Sequence, residues 1–74
     1  MREELLEIIS EVTGHAPDRI DIDKPLYEYI DEFDMGQIIV DVEDAFGIEI
    51  TDEDMIDWIY VKDMIEYIED KNDN

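Results

Sequence analysis

The chain has 74 residues, 24 of them acidic and 5 basic, for a formal charge of -19 at pH 7. So short a chain supports one domain with one modest core, not a large enclosed active site. The charge repels nucleic-acid phosphates and anionic lipid headgroups alike and leaves a basic protein surface as the natural partner, while a hydrophobic share of 45% excludes a disordered polyanion.

The first element is an amphipathic helix predicted over Arg2 to Val12. Leu5, Leu6, Ile8, Ile9 and Val12 fall on one side of a 3.6-residue period, with Glu3, Glu4, Glu7 and Glu11 on the other. It should stop near Thr13 and Gly14, since glycine is the usual residue just past a helix end and Pro17 follows. A connection then runs from about His15 to Asp31. Ile20, Ile22, Leu26 and Ile30 recur within it as anchors that tuck under the helices, so it reads as an ordered loop. Its length favours a bundle with one crossing loop over simple hairpins.

The second helix is predicted over Glu32 to Phe46. Met35, Ile38, Ile39, Val42 and Phe46 recur at i, i+3, i+4, i+7 and i+11, and Gly47 is the stop. A second stripe on the same helix, Phe33, Gly36, Val40 and Glu43, is bordered by Asp34, Gln37, Asp41 and Asp44. It is apolar in the middle and acidic at the rim. Ile48 and Ile50 form a short extended piece. Thr51 with Asp54 three residues on resembles a capping box and opens a brief third helix, predicted over Asp52 to Asp57. Val61, Met64, Ile65 and Ile68 give the pattern of a final helix over Val61 to Glu69, followed by a polar tail over 70–74 expected to fray. There is no internal repeat and no dividing linker, so residues 1–74 read as a single domain.

Catalytic and metal chemistry find little to work with. Cysteine is absent, which excludes a disulfide framework, a thiolate metal site and a cysteine nucleophile, and His15 is the only histidine. No stretch matches the spacing of a calcium loop, and Ala45 and Phe46 before Gly47 offer no ligand. No catalytic residue and no metal site are expected. Trp58, Tyr27, Tyr29, Tyr60 and Tyr67 read as core and rim packing. No apolar run approaches the roughly 20 residues of a membrane span, and a cytoplasmic monomer is the expectation.

The stretch Asp31-Glu32-Phe33-Asp34, leading through Ile38-Ile39-Val40-Asp41-Val42-Glu43-Asp44-Ala45-Phe46 to Gly47-Ile48-Glu49-Ile50, resembles the signature of the acyl carrier protein family. Thr51-Asp52-Glu53-Asp54 and Val61-Lys62-Asp63-Met64-Ile65-Glu66-Tyr67-Ile68 are similar to that family's third and fourth helices. The resemblance implies an all-α four-helix bundle with a long ordered loop between helices 1 and 2 and a short third helix. It also implies a non-enzymatic carrier for fatty acid, polyketide or related thioester-based biosynthesis, in which a serine at the start of the second helix bears 4'-phosphopantetheine.

Counted back from Phe46-Gly47 without a gap, the attachment position falls on Glu32, flanked by Asp31 and Phe33. A carboxylate has no hydroxyl with which to form the phosphodiester, and the only serine is Ser10, in the first helix. No cofactor is therefore expected on this chain, whether Glu32 arose by divergence or by deliberate substitution. By the same resemblance, Asp34, Gly36, Gln37, Val40, Asp41, Glu43 and Asp44 become the docking surface for basic patches on acyl-transfer, ligase or synthase enzymes. Two departures bear on partner choice: Gly36 stands where the family usually has a bulkier apolar residue, and Tyr60 where it often has Thr. Trp58 falls where the family usually buries an aliphatic residue. The alternative expectation is an adaptor that never loads and uses the carrier fold only to bind a protein.

Overall fold

The computed structural model describes residues 1–73. Four helices follow one another: α1 (Arg2–Thr13), α2 (Glu32–Phe46), α3 (Asp52–Met55) and α4 (Val61–Asp73), with 3-10 turns at Pro17–Arg19 and Leu26–Glu28 in the loop between α1 and α2. The architecture is the all-helical bundle with a long first loop, and among the described residues there is no strand.

Local chemistry sets the helix ends. Gly14 closes α1 with φ 85° and its N–H donates to the Ser10 carbonyl, and Gly47 closes α2 with φ 65°, donating to the Glu43 carbonyl. Both angles lie in the left-handed region that glycine enters without a Cβ clash. Asp31 opens α2: its carboxylate accepts the Asp34 N–H at 2.8 Å, satisfying one of the donors a helix start leaves unpaired. Thr51 and Asp54 complete a reciprocal capping box on α3, each side chain accepting the other's backbone N–H.

The core lies between α1, α2 and α4. Leu5, Ile9, Ile38, Val42, Val61, Met64, Ile65 and Ile68 are at most 1% exposed, and no polar or charged side chain among the described residues is buried with them. Each such side chain contributes about 1.5–3 kcal/mol of burial free energy. Of the five α2 positions read as core, Ile38, Ile39 and Val42 are buried, while Met35 and Phe46 are half-buried against the same cluster. The first loop is anchored as its apolar spacing suggests, with Ile20, Leu26 and Ile30 buried. Its backbone is also stitched to the start of α4: Leu26 N–H donates to the Ile59 carbonyl, Val61 N–H to Lys24 and Lys62 N–H to Ile22.

Two boundaries differ from the periodicity. Helix α3 ends at Met55, not Asp57, because the chain turns there to bring Trp58 half inside, against Tyr67 at 5.7 Å between ring centroids. Where composition points to a frayed tail from residue 70, α4 continues to Asp73, and Asn74 lies outside the described residues. The cause is an anchor: Lys71 Nζ reaches the Asp54 carboxylate at 2.9 Å and sits 5.7 Å from the centre of the Tyr67 ring.

Candidate functional site: the outer face and N-terminal end of α2

A helix with one buried stripe must present the other to solvent, and on α2 that other stripe is not polar. Phe33 is 89% exposed and Val40 58%, while Gly36 between them is bare backbone where an added Cβ would meet nothing within 4 Å. Asp44 and Gln37 are exposed, Asp34 and Asp41 are half-buried, and Gln37 Nε2 donates to the Asp41 carboxylate at 2.9 Å. The structure thus brings together on one face Phe33, Asp34, Gly36, Gln37, Val40, Asp41 and Asp44.

Glu43 is the exception among the predicted docking residues. Its carboxylate turns back and accepts the Ile50 N–H at 2.8 Å, tying the extended segment to the last turn of α2. Periodicity alone does not reveal this, because the donor lies past the glycine stop. One oxygen of Glu43 is therefore engaged inside the fold.

Three of the five basic side chains are engaged away from α2. The three ion pairs among the described residues are Arg2–Glu69, Lys62–Asp23 and Lys71–Asp54, and none uses a carboxylate of α2. The ion pairs of the described residues thus leave the outer-face acids of α2 without a cation from the domain. Around α4 the opposite holds. The Thr51 N–H, then the Tyr67 hydroxyl and Lys71, hold the Asp54 carboxyl far below the usual carboxylate range, and Tyr67 and Lys71 are raised in return by that same carboxylate. Backbone N–H groups of Tyr60 and Ile59 lower Asp63, and Arg2 lowers Glu69.

Glu32 is the first residue of α2 and is exposed, as are Asp31 before it and Phe33 after it. It shares the first helical turn with Asp34, where the positive end of the helix dipole favours a carboxylate by about 0.3–1 kcal/mol. Beside it opens a cleft of about 490 Å³ lined by Leu26, Tyr27, Ile30, Asp31, Glu32, Met35, Trp58 and Ile59. Sequence reading misses this cleft because three separate segments build it. The exposed apolar rims, Tyr27 at 79% and Ile59 at 60%, belong to no helical period. Trp58 Nε1 is buried without a hydrogen-bond partner among the described residues. His15 lies away from α2, edge-on to Tyr29 in the first loop. Among the described residues, no three His, Cys, Asp or Glu side chains are grouped to hold a metal ion, and no helix is long and apolar enough to cross a membrane.

Neither Glu32 nor its neighbours Asp31, Phe33 and Asp34 carry a hydroxyl. Ser10 is half-buried within α1.

Comparison with known proteins agrees with this architecture. The family model described as "Phosphopantetheine attachment site" matches residues 3–68. The chain is similar to the acyl carrier protein of Campylobacter hominis, at 35% identity over 74 residues, covering 97% of this chain and 94% of the relative. It is similar to the acyl carrier protein of Rhodococcus erythropolis at 37% identity, covering 89% of this chain and 75% of the relative. A further relative is the meromycolate extension acyl carrier protein of Mycolicibacterium smegmatis, at 39% identity over 88% of this chain and 68% of the relative. With the family model spanning nearly all of the bundle, the chain belongs to the phosphopantetheine-attachment family, that of the acyl carrier proteins.

Proposed function

We propose that this chain is a carrier-fold module of thioester-based biosynthesis, of the fatty acid or polyketide kind, that docks on basic surfaces of acyl-transfer, ligase or synthase enzymes but does not itself bear phosphopantetheine. The observation that carries the docking half is the pairing pattern: the ion pairs of the described residues leave every α2 carboxylate without an internal cation. Solvent screening holds each exposed pair with a partner to about 1 kcal/mol or less, so docking is fast and reversible. Phe33 and Val40 supply the apolar contact that such pairs orient. The module works as a monomer and performs no chemistry of its own.

The unloaded half rests on Glu32. Its single negative charge at the head of α2 stands where a loaded carrier has the charge of a phosphodiester, so the surface permanently resembles a modified carrier in charge. The same residue favours a second reading, an adaptor that only binds protein and has Glu32 within its interface.

Mass spectrometry after incubation with coenzyme A and a broad-specificity phosphopantetheinyl transferase separates these readings. The unaltered chain should keep its mass, and Glu32→Ser should gain one phosphopantetheine. Modification of the unaltered chain would place the attachment position elsewhere. A serine variant that folds and is not modified would favour the adaptor.

A further inference from the structure

Residues 51–58 cross from the end of α2 to the start of α4 as a strap with both ends pinned. At one end Ile50 is buried, and its N–H donates to the Glu43 carboxylate at 2.8 Å. At the other, the Asp63 carboxylate accepts the N–H groups of Ile59 and Tyr60 at 3.0 and 2.9 Å, and the Ile59 carbonyl accepts the Leu26 N–H. Between these pins no side chain is buried; Asp54, Met55 and Trp58 are half-buried and the rest are exposed. A helix of four residues is far too short to stand by itself. The strap can therefore lift from α4 without taking a core side chain with it.

Asp54 holds the middle of the strap down. One of its carboxylate oxygens accepts the Tyr67 hydroxyl, and the other accepts Lys71 Nζ at 2.9 Å. Charge otherwise pushes the two segments apart. The strap carries Asp52, Glu53, Asp54 and Asp57 with no basic residue, and the second half of α4 carries Glu66, Glu69, Asp70 and Asp73 with Lys71 as its single cation. Packing between them is incomplete, since a groove of about 500 Å³ lined by Asp57, Trp58, Asp63, Glu66, Tyr67 and Asp70 opens there. The contact that carries α4 on to Asp73 is thus the same one that ties α3 in place. Such a tie is reciprocal: whatever free energy α3 lends to the end of α4, the end of α4 lends to α3.

We propose that Asp54, Tyr67 and Lys71 form a latch through which α3 and the last turn of α4 open and close as one unit while the core stays folded. Opening uncovers Met55 and Trp58. A ligand or neighbouring chain that draws Lys71 away from Asp54 loosens α3, and one that clamps α3 shut orders the end of α4. The latch depends neither on Glu32 nor on what the outer face of α2 binds.

Amide hydrogen exchange of the full 15N-labelled chain, read residue by residue, tests this. In the unaltered chain the bonded amides of Asp54, Ile56 and Trp58 should exchange at least about tenfold faster than those of Val42 and Ile65, the mark of an opening short of global unfolding. Lys71→Met should speed those three strap amides at least about threefold, and Lys71→Arg should keep them near their original rates. Tyr67→Phe, which retains the ring against Trp58, should act in the same direction as Lys71→Met. In reverse, Asp54→Asn should speed the amides of Lys71 and Asn72 by a comparable factor. Lys24→Met removes an equal charge from the first loop and should leave the strap rates unchanged.

One common opening constant for strap and core amides would overturn the proposal, because α3 would then open only with the whole domain. So would a Lys71→Met variant that speeds the end of α4 alone, since the two segments would be uncoupled. Equal effects of Lys24→Met and Lys71→Met would assign the change to net charge and remove the latch.

Discussion

Helices α2 and α4 are built alike on their inner faces and used oppositely on their outer ones. Each buries aliphatic side chains completely, Ile38 and Val42 from one and Met64, Ile65 and Ile68 from the other. On α4 five of the outer side chains are engaged by the domain: Glu69 holds Arg2, Tyr67 and Lys71 hold Asp54, Lys62 holds Asp23, and Asp63 caps the helix start. On α2 only Glu43 is drawn inward from the outer stripe. The lesson is that helical amphipathicity predicts burial, whereas the destination of the polar half is decided by which cations and backbone N–H donors the fold brings within reach.

The largest expected effect removes the shared property and should fall on both helices. Ile65→Ala and Ile38→Ala should each cost about 2–5 kcal/mol in urea unfolding, from lost burial and the cavity left behind. Against a total of about 5–15 kcal/mol for a native protein, either loss is large. A marked inequality between them would show that one of the two helices is peripheral to the core.

Next come the polar contacts that separate α4 from α2. Thr51→Ala should cost about 1 kcal/mol through loss of the cap, a fall of roughly 4–8 °C in Tm for a domain of this size. Asp54→Ala should lower Tm further, because Asp54 shares that cap and also receives Tyr67 and Lys71. The sign of its pH dependence follows from its lowered pKa. The stabilisation by Asp54 is fully present above the ordinary carboxylate value of about 3.9 and is lost as pH falls below it. The Tm gap between the unaltered chain and Asp54→Ala should thus be constant near neutrality and shrink in acid, and a gap that widens on acidification would contradict the assignment.

On α2 the corresponding changes should be small or favourable. Gly36→Ala should raise stability by about 0.5–1 kcal/mol, since glycine inside a helix is costly and the added methyl meets no neighbour. A loss instead would mean that the backbone there needs freedom the helix does not show. Asp41→Asn and Asp44→Asn should each leave stability within about 0.5 kcal/mol while weakening capture by a basic surface. Added salt should raise Tm of the unaltered chain by screening its net charge of -19. No rise would indicate that the charges are already compensated within the fold.

Much of the architecture was legible in the chain itself, for local reasons. Periodicity and two glycine stops placed α1 and α2 within a residue, and the Thr51–Asp54 spacing announced its capping box. The outer stripe of α2 was legible by subtraction, since Phe33 and Val40 do not fit the buried period. Glu32 was expected as the first residue of that helix, and the structure has it there.

What the sequence by itself determined is therefore the set of helices, the single apolar core, the acidic outer face of α2 and the absence of a hydroxyl at its first turn. All of these depend on residues at fixed short separations, where helix geometry alone dictates who shares a face. Tertiary structure decided the rest: the extension of α4 to Asp73 through a contact of Lys71 with Asp54, seventeen residues away; the inward turn of Glu43 to Ile50; and the cleft assembled from residues 26–27, 30–32, 35 and 58–59. These join segments separated by turns and loops, and no periodic pattern records a meeting that only packing brings about.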